Sequence, residues 1–319
     1  MKPFISDIII RGLQNKFYDA HGGEPNTMEP LAASEERLLD SGVVIRNEVQ
    51  FSRNYPNSFA DIYYPNSSFD IKYPTIIYLH GGGWFMGSRT GGDPLASAGG
   101  GIAKQNIMLA QQGFTVVSMD YCLSPEYRYP AQIIQINEGL EYFKKHAEQY
   151  HLDMENVVLM GGSAGAVMVA ILGAVYSNPE YAKRLGINPS MELDAIKGLC
   201  IDGAPMNTKI LNWATVTMFR SWYGRHSRTC KAAKEIHVCD WVTEKFPKTF
   251  LTAGNDGCFP EHVQELGNAL KAKGVEVDDY YIDPNDSKQG HGYMGAWETD
   301  PYAKEGMDHQ IAFIRRVTA

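Results

Sequence analysis

Paired cysteines are missing from this chain. Its five (Cys122, Cys200, Cys230, Cys239 and Cys258) are scattered and form no C-x-x-C, which argues against a disulfide scaffold or a structural zinc site and makes reduced thiols in a cytoplasm the default. A basic excess is missing too. With 29 Lys and Arg against 37 Asp and Glu the formal charge is −8, so no footprint for nucleic acid or an anionic membrane is expected. No apolar run approaches a membrane span, and Ile8-Ile9-Ile10, stopped by Arg11, is too short for a signal-peptide core. His80-Gly81-Gly82-Gly83-Trp84 could cradle phosphate, but no G-K-[ST] follows and its glycines lack dinucleotide spacing. No H-x-x-x-H or carboxylate cluster suggests a catalytic metal, and no cofactor is expected.

What is present is alternation. Short apolar runs rich in β-branched residues (75–79, 114–119, 157–160, 196–201 and 248–253) are separated by segments of helical period, the clearest being Ile133, Ile136, Leu140 and Phe143. That order predicts a mostly parallel sheet of about eight strands with helices on both faces. Two strand-like pieces, 43–49 and 59–64, predict an antiparallel start. Short helices are expected over 8–17 and 29–39, and a last strand over 275–282. No repeat or linker divides the chain, so residues 1–319 read as one domain. Residues 1–40 form a peripheral or cap segment, and the aromatic-rich stretch 204–246 is a possible cap insertion lining a cleft. Residues 88–101 read as a loop.

The chemistry centres on Val157-Val158-Leu159-Met160-Gly161-Gly162-Ser163-Ala164-Gly165. An apolar strand enters a small-residue turn and an apolar helix leaves it, with Ser163 at the centre of a G-x-S-x-G spacing. A serine on so sharp a turn needs a strained backbone and neighbours with little or no side chain. Asp256 and His291 follow, each expected just beyond a strand, on the sheet edge where ligands collect. The order serine, acid, histidine suits a hydroxyl nucleophile (Ser163), a base (His291) and an acid that orients it (Asp256). Asp279, Asp283 and Asp286 lie nearer His291 in sequence, and the template favours Asp256. The amides of Gly82, Gly83 and Ala164 would converge on an oxyanion, His80 would brace the glycine loop, and Trp84 and Tyr293 would touch substrate.

His80-Gly81-Gly82-Gly83-Trp84, with Gly161-Gly162-Ser163-Ala164-Gly165, Asp120-Tyr121-Cys122-Leu123-Ser124-Pro125-Glu126 and Tyr129-Pro130-Ala131, resembles the hormone-sensitive-lipase-like branch of the α/β-hydrolases, the bacterial esterase and acetyl-esterase group. The resemblance covers roughly residue 73 to the C-terminus. It implies an α/β-hydrolase fold and a serine carboxylesterase that hydrolyses short- to medium-chain acyl esters through an acyl-enzyme, with Ser163, Asp256 and His291 as triad and no cofactor. The chain departs from the pattern at Gly162, Ala166 and Cys122, and Pro260-Glu261 stands where Leu-x-Asp-Glu is common. An arylformamidase or amidase, a carbohydrate acetyl or feruloyl esterase, and an inactive hydrolase-fold binding protein are the alternatives. The implied partner is a small ester, with a homodimer left open.

Overall fold

The computed structural model describes residues 4–21, 23–90, 101–207, 212–224, 231–258 and 260–319. Nine strands form one sheet among these residues: β1 (Glu36–Leu38), β2 (Val44–Gln50), β3 (Phe59–Tyr64), β4 (Pro74–Leu79), β5 (Thr115–Met119), β6 (Asp153–Gly162), β7 (Ile196–Asp202), β8 (Thr249–Thr252) and β9 (Val277–Tyr280). Their order is β1-β2-β3-β5-β4-β6-β7-β8-β9. The first three strands and the β3/β5 pair are antiparallel, and every later pair is parallel. The ninth strand is β1, where a helix over 29–39 was expected. Ser34 Oγ donates to Asn47 O and Glu35 N donates to Asn47 Oδ1, and these bonds zip the segment onto the edge of β2.

The described helices are α1 (Ile5–His21), α2 (Gly101–Gln111), α3 (Ala131–Lys145), α4 (Ala164–Ser177), α5 (Pro179–Leu185), α6 (Trp213–Tyr223), α7 (Lys231–Glu235), α8 (Pro260–Ala272) and α9 (Pro301–Val317). Strand alternation sorts the core into two layers. On one face Ile77 and Leu79 of β4 and Leu159 of β6 pack with α3, α4 and α8. On the other, Ile76 and Tyr78 of β4, Val158 and Met160 of β6 and Cys200 of β7 pack with α2 and α9. α4 is apolar all round and buried along its whole length, as a helix enclosed on every side must be.

The N-terminal segment folds as one longer helix, α1, that packs on α6. Gln14, buried in α1, donates to Phe85 O (2.7 Å) and Ser124 O (3.1 Å), and Arg128 pairs with Asp7 at 2.7 Å. α1 is therefore pinned to the glycine-rich turn and to the proline-punctuated loop. In the 204–246 stretch the aromatics are packing groups. Trp222 and Phe219 are buried against Trp84, the Trp84 and Trp222 rings stacking at 3.9 Å. Residues 91–100 of the expected 88–101 loop, and Cys230, lie outside the described residues.

Candidate active site

Strand β6 delivers Ser163 to the edge of the sheet, and α4 begins at the next residue. Ser163 has φ 55° and ψ −117°, a conformation a side-chain-bearing residue adopts only when its surroundings impose it. Those surroundings are visible. Ser163 N donates to Asp202 O at 2.8 Å, and a Cβ on Gly165 would sit 2.0 Å from Leu79 O, so the helix crosses β4 at a distance only glycine permits. The amides at the start of α4 point toward the serine, where its dipole favours negative charge.

The imidazole of His291 arrives from the loop after β9, with Nε2 2.8 Å from Ser163 Oγ. His291 is exposed by surface area, yet desolvation by the protein around it holds the ring below the ordinary histidine value, which favours a neutral ring at pH 7 with Nε2 able to accept the hydroxyl proton. Both residues line a cleft of about 390 Å³ whose wall also includes Phe17, Gly81, Gly82, Met160, Asp202, Met294 and Gln310.

The glycine-rich turn lies beside the serine. A Cβ on Gly81 would fall 3.3 Å from Ser163 Cβ, and one on Gly82 (φ +104°) would fall 2.0 Å from Met86 O; at Gly82 no side chain fits. The loop 120–130 and Arg89 form the platform behind this turn. Tyr121 OH donates to His80 O at 2.8 Å, its ring stacks on the His80 ring, and His80 Nδ1 donates to Gly81 O at 2.7 Å. The Arg89 guanidinium, 1% exposed, binds Asp61 at 2.8 Å together with Asp120 and Glu48. Coulombic attraction from these three carboxylates raises the arginine well above its usual value against desolvation. His80 is thus a brace, as read from sequence.

The expected acid does not join the pair in this structure. Asp256 is exposed, and no hydrogen bond or ion pair connects its carboxylate to His291. Its backbone is close, because Asn255 N and Asp256 N both donate to Gln289 O (2.9 and 3.0 Å). The loop carrying the acid and the loop carrying the histidine are therefore one hydrogen-bonded unit.

Two other expectations need correction. Trp84 is 1% exposed and turned into the aromatic cluster of α6, while Tyr293 is buried and bonds Thr252 Oγ1 through its hydroxyl at 2.7 Å; neither lines the cleft. An aromatic beside an active loop packs inward when an apolar helix lies behind it, and the sequence does not show that helix's position. None of the described residues of 204–246 lines the cleft either, whereas Phe17 of α1 does.

Among the described residues one group carries metal-type ligands, His237, Cys239 and Glu265, with their atoms within 4.8 Å of one another. The imidazole already bridges Asp240 (3.0 Å) and Glu265 (3.2 Å), and burial pushes the Cys239 thiol up to about 12. A protonated thiol and an imidazole already engaged by two carboxylates suit a structural bridge better than a metal.

Sequence reasoning missed Asp202 and Gln310. Asp202 ends β7 two residues after Cys200, so by the period of the strand it faces the α2/α9 layer beside Tyr78 and Met160. That alternation was the available signal.

The model of the BD-FAE family matches residues 60–262, well over half the chain. The chain belongs to the BD-FAE family. Among curated proteins, a mimivirus chain (Acanthamoeba polyphaga mimivirus) named as an alpha/beta hydrolase, R526, is 32% identical over 209 residues, spanning 63% of this chain and 56% of that one. The acetyl esterase of Salmonella paratyphi B is 33% identical over 109 residues, 34% of this chain and 31% of the relative. The chain thus spans about half or less of the curated relatives it matches. In three dimensions this BD-FAE protein is similar to esterase B from Lactobacillus Rhamnosis, with TM-score 0.71 and 17% identity over 98% of this chain and 92% of that one. It is also similar to EstE1, a thermostable carboxylesterase from a metagenomic library, with TM-score 0.70 and 15% identity over 97% and 98% of the two chains. Those likenesses show that the fold is the α/β-hydrolase fold. No described helix is long and apolar enough to cross a membrane.

Proposed function

We propose that the protein is a serine carboxylesterase that hydrolyses small or medium acyl esters through an acyl-enzyme. The observation that carries this reading is the 2.8 Å contact from His291 Nε2 to Ser163 Oγ at a strained turn facing the cleft. As the Ser163 oxygen attacks the ester carbonyl, His291 takes its proton. The negative charge that develops on the carbonyl oxygen is met by the amides of Gly82, Gly83 and Ala164. His291 then gives the proton to the departing alcohol, and water activated by the same imidazole releases the acid. Nothing in this sequence of steps requires a cofactor.

In this proposal Asp256 orients His291. Its support is the bonding of its loop to Gln289, two residues before the histidine, and catalytic contacts are often loose until substrate binds. α1, pinned over the glycine turn and lending Phe17 to the cleft, serves as the cap. Cytoplasmic residence belongs to the same reading and is supported by four free thiols among the described residues. Light scattering reads whether two copies pair.

The test is turnover of p-nitrophenyl acetate and butyrate. Ser163→Ala should lower the rate by about 10³-fold or more, and unchanged turnover in that variant overturns the assignment. Comparison of phenyl acetate with N-formylkynurenine separates ester from amide preference.

A further inference from the structure

The cleft holds two acceptors that ester cleavage does not use. Gln310, on α9, is 1% exposed, lines the cavity and has an Oε1 with no donor among the described residues. Asp202, at the end of β7, lines the same cavity and has a buried Oδ1, likewise without a donor among the described residues. By surface area the residue as a whole is half-buried. The surroundings give little relief, because Phe17, Met160, Met294 and Met307 are apolar neighbours on the same wall. Buried acceptors normally find a partner, and one left open in an apolar cavity is costly until a ligand brings the missing hydrogen.

We infer that this wall is a polar subsite that receives a hydroxyl group carried by the substrate ester, with the side chains of Gln310 and Asp202 as its hydrogen-bond partners. The inference deepens the esterase reading and rests on it. A hydroxyl fits better than an ammonium group. Burial pushes the Asp202 carboxyl up to about 7, so it is only partly ionised at neutral pH and makes a poor counter-ion while remaining a good hydrogen-bond partner. Tyr78 and Gln105 on the same wall offer further polar atoms to the hydroxyl oxygen. A site built to bond a hydroxyl discriminates strongly against the analogue that lacks one, because its own polar groups are then left open.

The hydroxyl could sit on the acid or on the alcohol of the ester, and two arms separate these sources. In the acid arm, methyl 6-hydroxyhexanoate is compared with methyl hexanoate and methyl 6-methoxyhexanoate. In the alcohol arm, 4-hydroxybutyl acetate is compared with butyl acetate. Hydrolysis is followed by pH-stat titration. The wild-type protein should favour the hydroxylated ester in one arm by about tenfold in kcat/KM, the size of one well-made hydrogen bond, and Gln310→Leu should shrink that ratio to under about threefold. Equal kcat/KM in both arms, or a preference for the unhydroxylated esters, overturns the subsite, and this measurement needs no variant to fold. Calorimetric titration of Ser163→Ala with the same esters reads the subsite without turnover. Tighter binding of the hydroxylated ester supports it even if the protein hydrolyses neither. Equal binding overturns it even if esterase activity is confirmed.

Discussion

Two acidic regions flank the nucleophile, and they are built on opposite terms. Behind the glycine turn, Glu48, Asp61 and Asp120 surround the Arg89 guanidinium, and the backbone N of Arg89 also donates to Asp120 Oδ1 at 2.5 Å. On the cleft wall, no cation among the described residues pairs with Asp202, and its carboxyl is pushed up to about 7 by burial. A buried charge that is matched and bonded serves as scaffold. A desolvated acid left unmatched has another use, and its place in the cleft says where that use lies. The first region holds the turn in shape, and the second meets what enters.

Substitutions can break this contrast. The largest effect belongs to the serine between the two regions: Ser163→Ala or His291→Ala should cost about 10³–10⁶-fold in kcat with an unchanged melting curve, since neither region loses a partner. Next is Arg89→Met, which leaves three carboxylates without their cation. Its unfolding free energy, read by urea titration, should fall by about 3–5 kcal/mol, and activity should fall with it as the glycine turn loosens. A variant as stable as the parent would mean the platform is not a scaffold.

Asp256→Asn should lower kcat by about 10²–10⁴-fold while leaving KM nearly unchanged. A loss of less than about threefold removes this acid from the catalytic unit. Asp202→Asn should act in the other direction on stability. The folded-state value of Asp202 lies above that of the unfolded chain, so its stabilising contribution is complete below about pH 4 and lost as pH rises through about 7. The variant should therefore match the parent at pH 4 and exceed it by about 1–3 kcal/mol at pH 8, a gap read from paired melting curves. The smallest effect is on the pH profile. Because His291 lies below the ordinary histidine value, the acid limb of kcat/KM should fall below about pH 6.5. A limb above that value would show that a carboxylate already bonds the ring in the free enzyme, before substrate draws Asp256 in.

Much of the site was legible before the fold. Ser163 stood out because the turn it occupies demands small neighbours in a fixed spacing, and Gly165 shows why, with Leu79 O where a side chain would be. His291 stood out because few histidines follow the serine at a strand end. Trp84 and Tyr293 were misread as substrate contacts because a side chain's direction depends on what lies behind it, and for Trp84 that is Trp222 from a segment with no clear period. Asp202 was overlooked because a polar residue closing an apolar strand usually reaches solvent.

By itself the order of residues determined the alternation of strands and helices, the strained turn at Ser163 and the kind of chemistry a hydroxyl and an imidazole could share, since these follow from local steric demands and from the period of apolar side chains. The folded chain alone decided which loops are bonded to one another, which aromatics face inward, and that Gln310 and Asp202, far apart in sequence, border one cavity. Those are long-range relations, set when the two layers pack on the sheet, and no local pattern records them.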